Sequence, residues 1–441
     1  MNSENLTSKN AASSSSVPKP NITNSKPEKS TQKLHQESPE SESQPADKKT
    51  NKPAKKSSSS KSWIVFLVIG IIAFLGGIAA VLYVFLKPVE EIIAHEFPTI
   101  PSKISESKTY SNLTGLEISD ASLNNSPVYC IQTPNGTDGA RPQAGLNEAG
   151  VVFEAIAEAG ITRFAAIYQN PTSAVIGPIR SLRLYYLQWD IPFDCTVIHA
   201  GGAWDALQAV KNYKHQSEST TYMYRGTVSS RRWNNLFTTP TNLAQVSSDH
   251  GWSSSTVKGF TRNTPEDATK ASVDSQVAAK LDIVSATTED LSKLTPSVSN
   301  ITIRFGNMAN FNPVYKYNPT TNSYDRSYTS GKAHEVYACP AENLVKQNPE
   351  NVCQLVQLSP SVVAVMKVKE KKASDNYHED ITTTGTGEAY VFQNGTAIKG
   401  TWSKPSINDQ IKFLDGDGNE IALNPGQTFI SAIPTSGSVE Y

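Results

Sequence analysis

The sequence predicts an α+β protein: a single transmembrane helix, then a mixed α/β N-terminal subdomain, then a β-rich C-terminal subdomain. Three observations lead there. An uncharged apolar run stands near the N-terminus, and strand and helix patterns joined by glycine-bearing turns alternate through the middle of the chain. Short Val, Ile, Tyr and Phe runs separated by turn dipeptides fill the last third.

With 441 residues, 38% hydrophobic and 8% aromatic, the chain has apolar material for one or two ordinary cores. Almost none of it lies in residues 1–62, which are Ser, Lys, Pro, Asn, Glu and Gln. Such a stretch cannot bury enough surface to offset its chain entropy and is expected to be a disordered basic tail. It carries eleven Lys, no Arg and six Asp plus Glu, a net charge of about +5 against -1 for the whole chain. The remainder is therefore mildly acidic, which gives no support to a nucleic-acid role.

From Trp63 to Leu86 the chain has no charged residue, and at ~1.5 Å per helical residue that run crosses a hydrocarbon core of ~30 Å. Trp63 and Tyr83 sit near its ends, where amphipathic rings favour the membrane interface. Lys48, Lys49, Lys52, Lys55, Lys56 and Lys61 precede it, whereas Lys87 is followed by Glu90 and Glu91. The positive-inside bias thus places the N-terminus in the cytoplasm and the C-terminal part outside the cell. A cleaved signal peptide is disfavoured, because its basic region is short and its apolar run shorter than this one. The membrane is the first expected partner.

All four cysteines, Cys130, Cys195, Cys339 and Cys353, follow the span, in the compartment where disulfides persist. Cys339 and Cys353 are close enough to bridge a modest loop, which leaves Cys130 and Cys195 as the remaining pair. No Cys-x-x-Cys occurs, so neither a zinc site nor a thioredoxin-like motif has support, and no cofactor is expected.

Residues 87–126 read as a polar connector and 127–293 as the mixed α/β subdomain. Gly150 to Tyr168 holds two β-compatible runs around Glu158-Ala159-Gly160, a tight turn between paired strands, with a helix as the competing reading. Ile176 to Trp189 reads as a Gly-Pro turn, a Ser181 cap and a helix. The strand in CTVIHAGG and the helix AWDALQAVKNY follow, and a helical stretch, DSQVAAKLDIVS, joins the halves. Residues 294–441 form the β-rich subdomain, with strands at Thr302 to Phe305, Val314 to Tyr317, Val362 to Val368, Ala389 to Phe392 and Phe429 to Ile433. Asp415, Asp417 and Asn419 imitate a calcium loop, but its sixth position is Glu420 and its twelfth Gly426, so a turn is the better reading.

The segments ARPQAGLNEAGVVFEAIAEAGITRFAAIYQ, GPIRSLR, GTGEAYVFQNGTAIKGTW and DGNEIALNPGQTFISAIP resemble the YerB-like lipoproteins, a bacterial family whose domains have no assigned function. The resemblance runs from about Asn124 to Pro434. It implies two subdomains, one mixed α/β and one largely β, on the outer face of the membrane, and it implies no established activity. Members typically carry a lipid-modified cysteine after a short signal, whereas this chain has no cysteine before Cys130, so a protein anchor replaces the lipid. Where the family shows Pro-His-Asn-Leu-Tyr, this chain has Trp233-Asn234-Asn235-Leu236-Phe237, which puts any role for that imidazole in doubt and leaves Asn235 as a candidate contact.

Arg141, Arg163, Arg180 and Arg183 fall in or beside these motifs. Arg180 with Ser181 stands where a helix is expected to begin, a natural place to hold an anion. His199 precedes Gly201-Gly202 at a strand end, and Trp204 and Asp205 open the next helix, where open α/β sheets place their sites. One reading is a pocket for an anionic or sugar-bearing ligand walled by Arg180, Arg183, His199 and Trp204. The competing reading has the arginines pairing with Glu148, Glu154 and Glu158 to fix loops.

Glu154 and Glu158 on a strand stand about 13 Å apart, too far for glycoside hydrolysis. No GxSxG occurs either. Two functions stay open: a binding or scaffold module for a cell-wall polymer or envelope protein, and an enzyme of unrecognised mechanism that needs Arg180, His199 and Asp205 around one cleft.

Overall fold

The computed structural model describes residues 108–213, 216–217, 220–226, 234–272, 298–340 and 353–441. All described residues belong to one compact unit. The expected tail, the expected membrane span 63–86 and the helical stretch 274–285 lie outside the described residues. Among the described residues no helix is long and apolar enough to cross a membrane.

The first half contributes β1 (Val128–Pro134), β2 (Val151–Glu158), β3 (Ile161–Gln169), β4 (Thr196–Ile198) and β5 (Gln216–Ser217), with helices α1 (Leu184–Asp190), α2 (Trp204–Val210) and α3 (Pro240–His250). The second half contributes β6 (Asn300–Arg304), β7 (Pro313–Asn318), β8 (Ser323–Tyr328), β9 (Val362–Val368), β10 (Gly385–Gln393), β11 (Thr396–Lys404), β12 (Lys412–Leu414), β13 (Thr428–Pro434) and β14 (Ser438–Glu440). The fold is thus mixed α/β with few helices and a β-rich C-terminal region.

The two halves share one ten-stranded sheet in the order β12-β11-β10-β9-β13-β2-β3-β1-β4-β5. The seam is β13, which pairs in parallel with β9 on one side and with β2 on the other, Phe429 facing Val152 and Ile430 facing Phe153. Period-2 alternation explains why these strands read as continuous apolar runs. Val151, Phe153 and Ala155 face a core with Tyr186 and Trp189 of α1, while Val152 faces a second core with Phe164 and Phe429. Further along, Val362, Ala364 and Met366 join the α1 core, and Val363 and Val365 pack on Ile301, Tyr315 and Tyr324. Those last residues belong to a four-stranded sheet, β8-β7-β6-β14, laid on the large one. Phe153 stacks on Trp189 at 5.4 Å between centroids, and full burial of an aromatic of this size contributes ~2–3 kcal/mol.

The segment around Glu158-Ala159-Gly160 is a hairpin rather than a helix. Ala159 and Gly160 both have positive φ, 50° and 76°, the two-residue turn whose twist matches paired strands. Ser181 does not cap a helix. α1 begins only at Leu184, its N-cap position Arg183 makes no side-chain cap bond, and the Ser181 hydroxyl instead donates to Ala200 O. Disulfides join Cys130 to Cys195, tying β1 to the residue before β4, and Cys339 to Cys353. Residues 415–419 form a turn in which the Asp415 carboxylate accepts from the amides of Asp417 and Asn419.

Candidate functional site

β1 runs parallel to β4, β2 and β9 run parallel to β13, and β3 lies antiparallel between β1 and β2. Since β5 is parallel to β4, and β10 is antiparallel to both β9 and β11, seven strands finish on the same edge of the sheet, at Pro134, Glu158, Ile198, Ser217, Val368, Lys404 and Pro434. Carboxyl edges of this kind are where open sheets leave room for ligands. Glu158, the last residue of β2, accepts from Arg163 Nη2 at 2.7 Å and from Arg183 Nη2 at 2.6 Å. Both arginines are buried and also donate to carbonyls, Arg163 to Ser181 O and Arg183 to Leu182 O. Burial alone would raise the Glu158 carboxyl, but the two guanidiniums outweigh it and hold the group below the usual carboxylate range.

Arg180 is placed by its backbone: its amide donates to Gln132 O at the end of β1, and its carbonyl accepts from the Ala200 amide just past β4. Its side chain is partly exposed and has no hydrogen-bond or ion-pair partner among the described residues. Partial burial lowers its affinity for its proton, while Glu158 and Asp138 act the other way. Asp138 itself accepts from the Asn234 amide, through both its carbonyl and its carboxylate. Asn234 thus ties the segment before β-paired Leu236–Phe237 to the loop at Asp138 through a neutral amide. Trp233 lies outside the described residues.

Across the edge lies a hairpin of 370–372 with 379–381, whose His378 forms a backbone bridge with Glu158 and whose ring lies 2.6 Å from the Asp375 carboxylate. Tyr377 at its tip is exposed.

The other candidates divide. His199 is fully buried, with Nδ1 3.0 Å from Gly201 O. Trp204, the first residue of α2, is 78% exposed, and Asp205 accepts from the Ala206 amide within its own helical turn. Asn235 accepts from Arg225. An enzyme needs His199 and Asp205 presented to a substrate with Arg180; a buried imidazole and a carboxylate engaged at a helix start do not provide that.

Arg141 belongs to a separate network, itself half-buried at the rim of a buried cluster. Its Nε donates to Asn135 Oδ1, Nη2 donates to Asn310 O, and its guanidinium lies 3.8 Å above the Tyr328 ring. Asn135 and Thr162 donate to Glu154, whose other oxygen accepts from Arg326 at 2.8 Å. Arg326 also donates to Tyr315, Tyr328 and His334 Nδ1. Because an arginine only donates, His334 Nδ1 must accept, and the ring proton sits on Nε2, which donates to Gln143 Oε1. Glu154 and Glu158 thus serve two different arginine networks. Glu148 has no arginine and caps the Thr172 and Ser173 amides.

The structure places Arg163, Arg180 and Arg183 near the Glu158 end of β2, whereas Arg141 lies in the Glu154 network. Asp138, Tyr377 and His378 join them with no local pattern to announce it, because loops from distant parts of the chain meet on the sheet edge. Among the described residues no group of three or more His, Cys, Asp or Glu is placed to hold a metal ion.

Residues 113–253 match the N-terminal domain of the family described as "Protein of unknown function (DUF3048)", and residues 301–430 match its C-terminal domain. The chain belongs to the DUF3048 family. It is similar to "Putative lipoprotein YerB" of Bacillus subtilis (strain 168), 24% identical over 330 residues that cover 74% of this chain and 87% of the relative. The crystal structure of YerB protein from Bacillus subtilis has the same fold, with a TM-score of 0.58 and 20% identity over 76% of this chain and 100% of that one. The two family domains meet at the β13–β2 seam and share the sheet that carries the arginine edge.

Proposed function

We propose that this DUF3048 protein is a non-catalytic binding module of the bacterial cell envelope. The helix expected at 63–86 holds it on the outer face of the membrane, and Arg180 is its contact for an anionic ligand. The observation that carries the ligand reading is a guanidinium with no ion pair among the described residues, on a sheet edge where Arg163 and Arg183 already saturate Glu158. A partly exposed cation of this kind gains a charge-assisted, bidentate partner at little desolvation cost. The anchor reading is supported by the uncharged run, its lysine-rich upstream flank and the lipoprotein name of the relative. Outer-surface residence is also consistent with two disulfides and no free cysteine among the described residues.

Two measurements test this. Orthophosphate and citrate should raise the melting temperature of the full chain in neutral detergent but leave that of Arg180→Ala unchanged; equal responses discard the ligand site. Protease added to intact cells should degrade residues beyond 127 and spare 1–62, and the reverse pattern refutes the topology.

A further inference from the structure

A second cationic station stands on the same sheet edge as Arg180. Beside the carboxyl ends of β9 and β13 opens a groove of about 540 Å³, lined among others by Lys367, Lys369, Thr384, Gly385, Thr386 and Thr435. Lys367 is 3.2 Å from Glu388, but Lys369 is exposed and has no ion-pair partner among the described residues. The Thr384, Thr386 and Thr435 hydroxyls likewise bond to no protein group there. The groove keeps its shape because residue 387 is glycine: a Cβ there would lie 2.5 Å from Trp402 Nε1 and 2.7 Å from Lys367 O.

Most acidic groups along this edge are already matched. Glu158 is held by Arg163 and Arg183, Glu388 by Lys367, Glu379 by Lys372, Asp380 by Lys371 and Asp375 by His378. Asp138 is engaged by Asn234. Glu370 is partly buried, and burial together with Glu379 pushes its carboxyl up to about 7. Among the described residues, Arg180 and Lys369 make neither an ion pair nor a side-chain hydrogen bond. The strand order β9-β13-β2-β3-β1 separates their backbones by four to five strand spacings, roughly 20 Å at ~4.8 Å each, and the Arg180 side chain narrows the gap by reaching toward Glu158 at the end of β2. A single small anion cannot reach both.

We propose that this edge binds a linear phosphate-containing polymer, one phosphate engaging Arg180 and another, farther along the same chain, engaging Lys369 and the threonine hydroxyls. The inference rests on the reading of Arg180 as an anion contact and specifies its ligand. Phosphate suits the groove because Lys369 and the hydroxyls are donors and each internal phosphate of such a chain keeps a negative charge and two non-bridging acceptor oxygens. Linking two weak contacts through one chain raises apparent affinity without any new contact, provided the chain spans the gap.

The test uses the full chain in neutral detergent, with fluorescent linear polyphosphates either shorter or much longer than the gap. Long chains should bind the native protein about 100-fold more tightly than short ones. Lys369→Ala should remove that advantage while leaving the orthophosphate-induced rise in melting temperature intact; Arg180→Ala should abolish both. Neither side chain has a hydrogen-bond or ion-pair partner among the described residues, so circular dichroism should show both variants folded. Affinity independent of chain length, with the orthophosphate response still dependent on Arg180, overturns the polymer inference and leaves the anion site standing. No response to phosphate of any length overturns both.

Discussion

Arg326 and Glu154 form an ion pair at 2.8 Å with no exposure of either side chain, although 172 residues separate them. The pair fastens β8 of the small sheet to β2 of the large one. Burial would depress the Arg326 guanidinium, but Glu154, Tyr328 and Tyr315 more than reverse it. Removing one member strands the other in a dry interior, so Arg326→Met should cost about 3–5 kcal/mol in urea unfolding. The double variant Arg326→Met with Glu154→Leu should recover much of that loss. A double variant as damaged as the sum of its singles contradicts the assignment.

Asp190 should make the fold less stable as pH rises. Its carboxyl is fully buried at the end of α1, accepts only from the Gln132 amide and is pushed well above the usual range by burial. The folded protein therefore keeps a proton that the unfolded chain releases above pH ~4, and folding stability falls progressively from there upward. Asp190→Asn, neutral at every pH, should flatten that decline and match or exceed the native stability at pH ~8. Urea midpoints across the pH series decide it.

His334 should have the opposite sign. Burial, then Arg326 and Arg141, push its imidazole well below the ordinary value. The unfolded chain takes up a proton below pH ~6.5 that the folded protein refuses, so stability drains away on acidification from that point. Nitrogen chemical shifts should show the Nε2–H tautomer unchanged at pH ~5.5, as its bond to Gln143 requires. A ring that titrates near its ordinary value disproves the network.

The two disulfides should differ in weight. Cys130–Cys195 closes a separation of 65 residues and Cys339–Cys353 one of 14, and chain entropy alone assigns them about 4 and about 3 kcal/mol. Replacing each pair by alanines and comparing melting temperatures should show the larger drop for the first. The first also bonds adjacent parallel strands inside the main core, where Cys130, Val197 and Phe193 pack together.

Local chemistry was readable from the sequence where it acts locally. The Val151–Gln169 hairpin follows from two β-rich runs around Ala159-Gly160, and the strand-to-helix passage after Cys195 follows from its glycines. Ser181 resembles a cap, yet α1 starts only at Leu184, because the Ser181 hydroxyl is drawn to Ala200 by the neighbouring segment. Pairing of β13 with β2 leaves no trace in a window of any practical length, since both strands are simply apolar. The arginines were recognisable as a group, but which of them would lack a counter-ion depends on where Glu158 and Glu154 point, and that is decided by the sheet.

The position of β13 also orders events during biogenesis. Val151 emerges long before Thr428, its partner in the finished sheet. Until then β2 presents a bare, apolar flank to whatever surrounds the nascent polypeptide, an invitation to association with other chains. Truncations that remove the last few dozen residues should therefore yield insoluble material rather than a stable N-terminal fragment, and the emerging chain should rely on a holdase until its final strand arrives.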